Sequence, residues 1–186
     1  MGLDITAYSR VLLLPPHERT EECYETHVCA FAYSCFPRSF RGLADADVEF
    51  QSLSDGTSFM GGRCYDISQS ATHCFSAGSY HGYGEMRNLL SNTFLGVDIN
   101  IVARYPERYE DKPFFELINF ADNEGCIGPE AAKDLLMDFV EGKPTWAAAR
   151  PDDRYPSVGR DHWTCWYDNW TTACAFAADD GLIQFH

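Results

Sequence analysis

The sequence lacks the features that would carry a chain into or across a membrane. No stretch approaches the ~18 consecutive apolar residues of a membrane-spanning helix, and the first residues show no basic segment followed by an apolar run. Eight cysteines are present, but no C-x-x-C pair. Without an export signal we expect a cytoplasmic protein with reduced, mostly buried thiols and no disulfide framework.

Familiar catalytic signatures are also missing. The sequence contains no G-x-S-x-G nucleophile elbow, no phosphate-binding P-loop, no dinucleotide fingerprint and no H-E-x-x-H zinc motif. This absence favours a binding protein over an enzyme and predicts no cofactor, although an enzyme with an unfamiliar site stays open.

Positive charge is scarce. Fourteen Lys and Arg oppose 28 Asp and Glu, which gives a formal net charge of −14. Such a chain is repelled by nucleic acids and anionic membranes and is attracted to basic protein surfaces. The charge therefore predicts no direct nucleic-acid or membrane partner, and either a basic protein partner or a role in solubility alone.

Apolar content, by contrast, is ample. Hydrophobic residues make up 45% of the 186 residues and aromatic residues 15%, which is enough to build a substantial core. We predict a single domain spanning residues 1–186. Strand and helix patterns follow one another irregularly, which predicts an α+β fold with a small mixed or antiparallel sheet and about three helices.

Alternation and short apolar runs predict the strands. The main predicted strands are 3–8, 63–67, 72–77, 96–103, 114–120 and 182–185. We expect 63–67 and 72–77 to form a hairpin, and 182–185 to lie at the edge of the sheet. For 114–120, a strand is favoured over a helix.

Three segments show the three- and four-residue periodicity of helices. They are residues 85–94, the segment from Pro129 to a stop at Gly142, and the segment from a cap at Asp161 to a stop at Gly181. In the last of these, Trp163, Trp166 and Trp170 share one stripe. We interpret that stripe as core; if exposed, it would be a surface for a protein partner.

The glycine- and tyrosine-rich segment at residues 78–87 is the strongest local candidate for a ligand site. Tyr80 and Tyr83 could stack on a base, and Arg87 could pair with a phosphate. His81 titrates near neutral pH. The alternative is a tight turn with packed tyrosines, in which Arg87 pairs with an acid.

A second candidate site surrounds the predicted strand at 114–120. In that strand Glu116 would share a face with apolar neighbours, which predicts a buried carboxylate with a raised pKa. Asn119, Asp122 and Glu124 follow it and are candidate ligand-binding residues. Together with His81, these acids would suit acid–base chemistry. The alternative is that they form a turn and cap the next helix.

Metal binding is weakly supported by the sequence. Cys23, His27, Cys29 and Cys35 offer zinc ligands within a short span, but at a spacing that matches no usual zinc motif. The acidic turn at residues 122–125 lacks the first and last ligands of a calcium loop. We predict no metal site.

Several blocks of the sequence resemble a family of uncharacterised proteins from bacteriophages, prophages and their hosts. The resembling blocks are MGLDITAY at 1–8, CFPRSFRG at 35–42, AGSYHGY at 77–83 and PFFELINFADNEGCIGP at 113–129. The resemblance continues to about residue 140 and includes residues 181–186. No known activity accompanies the family. Where the family usually has an aromatic residue before Arg87, this chain has Met86, which weakens a stacking role there.

The resemblance implies a setting, because small acidic phage proteins are often anti-defence factors. The leading hypothesis is a phage-type inhibitor of a bacterial defence system, an anti-CRISPR or similar protein, that binds a basic protein surface in the host cytoplasm. The second is a nucleotide-binding or nucleotide-sequestering protein using residues 80–87. The third is a small hydrolase or transferase using His81 and the acids at 116–124. Homo-oligomerisation is open in each.

Overall fold

The computed structural model describes residues 2–13, 27–29, 49–52, 58–60, 64–119, 125–149 and 161–185. The strands are β1 (Gly2–Tyr8), β2 (Leu12–Leu13), β3 (His27–Cys29), β4 (Glu49–Ser52), β5 (Ser58–Met60), β6 (Cys64–Asp66), β7 (Thr72–Ser79), β8 (Gly125–Ile127) and β9 (Leu182–Phe185). The helices are α1 (Tyr80–Leu90), α2 (Ile99–Arg104), α3 (Phe115–Asn119), α4 (Pro129–Ala149) and α5 (His162–Ala177). A π-helical turn (Ser91–Leu95) follows α1, and a 3-10 turn (Pro106–Arg108) follows α2. The predicted α+β class is confirmed, with more helices than expected.

The main sheet has four antiparallel strands in the order β7–β1–β9–β8. Its strand β1 has the predicted alternation as far as Ala7, since Leu3, Ile5 and Ala7 are buried while Asp4 is exposed, but Tyr8, expected on the polar face, is buried. The prediction that residues 182–185 form an edge strand is wrong, because β9 lies between β1 and β8. Side chains on both of its faces are buried, since Leu182, Ile183 and Phe185 are all in the interior.

The predicted hairpin of residues 63–67 and 72–77 is also wrong. Strand β7 pairs with β1, whereas β6 pairs with β2 and β3 in a separate three-stranded sheet. Between them the backbone N–H of Ser68 donates to the carboxylate of Asp66 at 2.8 Å and closes a turn. Beside that turn, Tyr65 is buried in a second apolar cluster with Tyr8 and Leu182. Strand β6 thus contributes to this second cluster, whereas β7 contributes to the main core.

Two segments predicted as strands are helices. In 96–103, Asp98 caps α2 by accepting a hydrogen bond from the Asn100 N–H at 2.8 Å. In 114–120, Phe114 has a left-handed backbone (φ 61°), and α3 begins at the next residue. Both runs are too short for apolar periodicity to separate helix from strand.

Helix α4 continues past Gly142, where the sequence predicted a stop. A Cβ atom at Gly142 would lie 2.8 Å from Cε1 of Phe94 and 3.0 Å from the Tyr167 hydroxyl. The glycine therefore allows close packing inside the helix instead of ending it. Pro144 also lies within α4, on its exposed side.

Helix α5 packs on the main sheet, as α1 does. The prediction that its tryptophans are core residues is confirmed, since Trp163, Trp166 and Trp170 are all buried. The predicted side-chain cap at Asp161 is wrong. That residue has a left-handed backbone (φ 64°) and its side chain makes no capping bond, whereas its carbonyl accepts from the Cys165 N–H at 2.8 Å.

Candidate functional site

The segment 80–87 is the first turns of a helix, not a glycine-rich turn leading into one. Helix α1 begins at Tyr80, and the Ser79 hydroxyl caps it by accepting from the Gly82 N–H at 3.0 Å. Tyr80 is 37% exposed, whereas Tyr83 is 2% exposed. The helix therefore separates the predicted ligand residues onto different faces.

Arg87 points into the protein. Its Nε donates to the carbonyls of Ile118 at 2.9 Å and Leu117 at 3.3 Å, and its Nη2 also donates to Ile118. These carbonyls belong to α3, whose C-terminal end attracts positive charge. The acid partner expected from the sequence is thus replaced by backbone oxygens, and burial lowers the pKa of Arg87. Arg87 therefore links α1 to α3 through these hydrogen bonds.

Tyr83 packs in the core beneath the main sheet. Its ring lies 6.3 Å from the Trp170 ring and 5.9 Å from the Phe185 ring, centroid to centroid. The Arg87 guanidinium lies 5.6 Å from the same ring, and burial raises the pKa of Tyr83. A base could stack on Tyr83 only if this packing opened.

His81 is on the outside of α1, with 85% of its side chain exposed. Its Nε2 lies 3.4 Å from Oε1 of Glu85, one helical turn further on. Within the described parts of the chain, Glu85 is thus the acid beside His81, not Glu116. Asn119 ends α3, while Asp122 and Glu124 lie outside the described residues.

Four carboxylates gather where α3 begins beside the middle of α4: Glu116, Asp134, Asp138 and Glu141. Burial, the nearby charges of Asp138 and Asp134 and an opposing backbone hydrogen bond together raise the pKa of Glu116 to about 7. Burial, with the charges of Asp134 and Glu141, likewise raises the pKa of Asp138 to about 6. The raised pKa predicted for Glu116 is confirmed, but it arises in a helix beside a second helix, not on a strand.

Asp138 holds the start of α3 in place. Its Oδ2 accepts a hydrogen bond from the Phe114 N–H at 2.6 Å. The Phe114 ring is fully buried, 4.4 Å from the Phe94 ring and 4.9 Å from the Phe139 ring. Asp138 is not among the site residues predicted from the sequence, although its four-residue spacing from Asp134 places both on one helix face.

This site can release and take up protons near neutral pH, because two of its carboxyl groups have raised pKa values. The residues that the structure describes contain no group of three side chains placed to hold a metal ion. Of the weakly supported zinc candidates, His27 and Cys29 lie in β3, and Cys23 and Cys35 are outside the described residues. Cys74, Cys165 and Cys174 are free thiols, as expected, but Cys74 and Cys165 are exposed and not buried.

The solvent side of α4 continues this acidic region along the helix. We call it the α4 acidic face and define it by Glu130, Asp134, Asp138 and Glu141, which are spaced by three or four residues. The opposite side of the helix is buried, with Leu135, Phe139 and Trp146 in the main core. The carboxylates therefore lie on a helix whose opposite face is packed in the core.

Comparisons with protein-family models, with curated proteins and with solved structures found no match. The resemblance to the phage family consequently remains a prediction. No helix in the described part of the chain is long and apolar enough to cross a bilayer.

Proposed function

We propose that this protein is an acidic binding protein that occupies a basic surface on another protein. Following the resemblance, its role would be that of a phage-type inhibitor of a bacterial defence system, an anti-CRISPR or similar anti-defence factor acting in the host cytoplasm. The observation that supports the proposal is the α4 acidic face, which presents several carboxylates on one side of one helix.

Two of the four carboxylates on this face have no ion-pair partner in the described part of the chain. Lys143, at the flank of α4, pairs with Asp168 of α5 at 2.9 Å, and Lys112 pairs with its neighbour Asp111 at 3.1 Å. Among the described residues, no ion pair reaches Asp134 or Glu141. Unpaired carboxylates such as these two add to a negative potential that attracts a basic partner.

The other two hypotheses have less support. Nucleotide binding would use four residues of α1, of which Tyr83 and Arg87 are packed in the core. Acid–base catalysis by His81 would need an acid of the 116–124 segment, and His81 instead lies beside Glu85. A binding role needs neither rearrangement.

The test is recovery of partners from a bacterial lysate on immobilised protein at two ionic strengths. We expect the captured proteins to be basic and to be released between about 50 mM and 300 mM salt, because exposed charges are screened over a shorter distance as salt rises. Quantitative mass spectrometry of the two eluates measures this. An unrelated immobilised protein of similar net charge is the control for simple ion exchange.

Two results would contradict the proposal. One is a set of captured proteins no more basic than the lysate as a whole. The other is a specific partner that is retained equally at both salt concentrations, since an interaction steered by exposed charge weakens with ionic strength.

A further inference from the structure

Two large apolar side chains of α4 are exposed to solvent. Met137 is 56% exposed and Val140 is 61% exposed. They are three residues apart, so they are neighbours on the helix surface. Other large apolar side chains that the structure shows exposed, such as Leu12 and Ile101, belong to other elements. Single exposed apolar residues need no explanation, whereas Met137 and Val140 together form a small contiguous apolar patch on one helix face.

The acidic face borders this pair directly. Asp134 lies three residues before Met137, and Glu141 lies four residues after it, so both carboxylates flank the methionine. Lys133, four residues before Met137, is the cation on this side of the described helix. The local surface thus combines apolar anchors with an excess of negative charge.

We propose that Met137 and Val140, together with Asp134 and Glu141, form the docking surface for a partner segment that carries lysine or arginine beside apolar side chains. This inference rests on the proposed function and specifies its site. Charge complementarity selects the partner, because a neutral apolar segment would leave the carboxylates without a counterion. The apolar pair would supply the contact that persists when salt screens the charges.

The probe is a synthetic amphipathic peptide of leucine and lysine, titrated against the whole protein by fluorescence anisotropy. Matched peptides of leucine with glutamate, and of serine with lysine, test charge and apolar contact separately. We expect the leucine–lysine peptide to bind at least about tenfold more tightly than either, since both kinds of contact are needed.

Variants then locate the site. The double substitution Met137→Ser and Val140→Ser should weaken binding about tenfold at any salt concentration. The double substitution Asp134→Asn and Glu141→Gln should weaken it several-fold at low salt and flatten its salt dependence. Control variants are Ile101→Ser for exposed apolar area and Glu107→Gln for exposed charge, and they should leave affinity unchanged. Circular dichroism and urea unfolding confirm that each variant is folded.

The remaining outcomes overturn the inference. If the control variants lower the affinity and the α4 variants do not, the docking surface lies elsewhere. The proposed function is then left intact. Failure of the leucine–lysine peptide to bind removes this docking chemistry, and salt-sensitive lysate capture then decides the proposed function by itself. Analytical sedimentation tests for self-association. If the wild-type protein is a dimer and the Met137→Ser, Val140→Ser variant is a monomer, the face binds a second copy of the chain instead.

Discussion

Replacing Glu116 with glutamine should stabilise the protein at about pH 8 and change its stability far less at about pH 5. Burial and the charges of Asp138 and Asp134 raise the pKa of Glu116 in the folded protein from 4.5 to about 7. Below pH 4.5 the group is protonated in both folded and unfolded chains. As pH rises from 4.5 to about 7, the unfolded chain loses its proton first, so the free energy of unfolding falls.

The magnitude follows from the same pKa values. A change from 4.5 to about 7 would correspond to roughly 3 kcal/mol at full strength. Because Glu116 is partly exposed, solvent screening reduces the expected gain to about 1–2 kcal/mol. For a chain of this size that is a rise in melting temperature of about 3–6 °C at pH 8.

The assay is urea unfolding of the wild-type and Glu116→Gln proteins across this pH range, followed by tryptophan fluorescence. Glu107→Gln, at an exposed position in the 3-10 turn, is the matched control and should change little at either pH. A gain for Glu116→Gln that is equal at both ends of the range would refute the reasoning, because titration would not be its source.

Two further substitutions test the packing around α3 and α4. Gly142→Ala should destabilise the protein by about 1–3 kcal/mol, because its methyl group would meet Phe94 and the Tyr167 hydroxyl at 2.8 and 3.0 Å. Gly84→Ala, in α1 with open space around it, is the control and should be neutral or stabilise by up to about 1 kcal/mol. Equal changes in the free energy of unfolding for the two glycine variants, measured by urea unfolding, would contradict this packing. Arg87→Met should cost about 2–3 kcal/mol, since it leaves buried carbonyls of α3 without a donor. Arg87→Lys should recover only part of that stability, and full recovery in the same assay would show that the forked geometry is unimportant.

The elements predicted correctly from sequence are those with one buried face over several turns or residues. Leu3, Ile5 and Ala7 alternate with polar residues, and the tryptophans of α5 recur at helical spacing, so each pattern matches a single period. The segment at 114–120 has no such period. Its structure depends on the left-handed Phe114, whose N–H is held by Asp138, 24 residues further along the chain. A hydrogen bond of that range leaves no local signal.

The candidate site shows the same division. A tyrosine and an arginine four residues apart suit a ligand site and a packed helix equally well, and only the position of Trp170 and of the α3 carbonyls decides that Tyr83 and Arg87 are internal. The acids of α4 differ in this respect. The spacing of Asp134, Asp138 and Glu141 places them on one face of any helix there, so this face was predictable once the helix was recognised.

The position of β9 inside the main sheet has a consequence for synthesis on the ribosome. Ile5 of β1 pairs with Phe185, so partners near opposite ends of the sequence must meet before the sheet is complete. In the described sheet β9 lies between β1 and β8, so the edges of these two strands that it covers stay unpaired until β9 has been synthesised. Pairing over so long a separation is slow. Before β9 joins the sheet, these edges of β1 and β8 are open to non-native pairing.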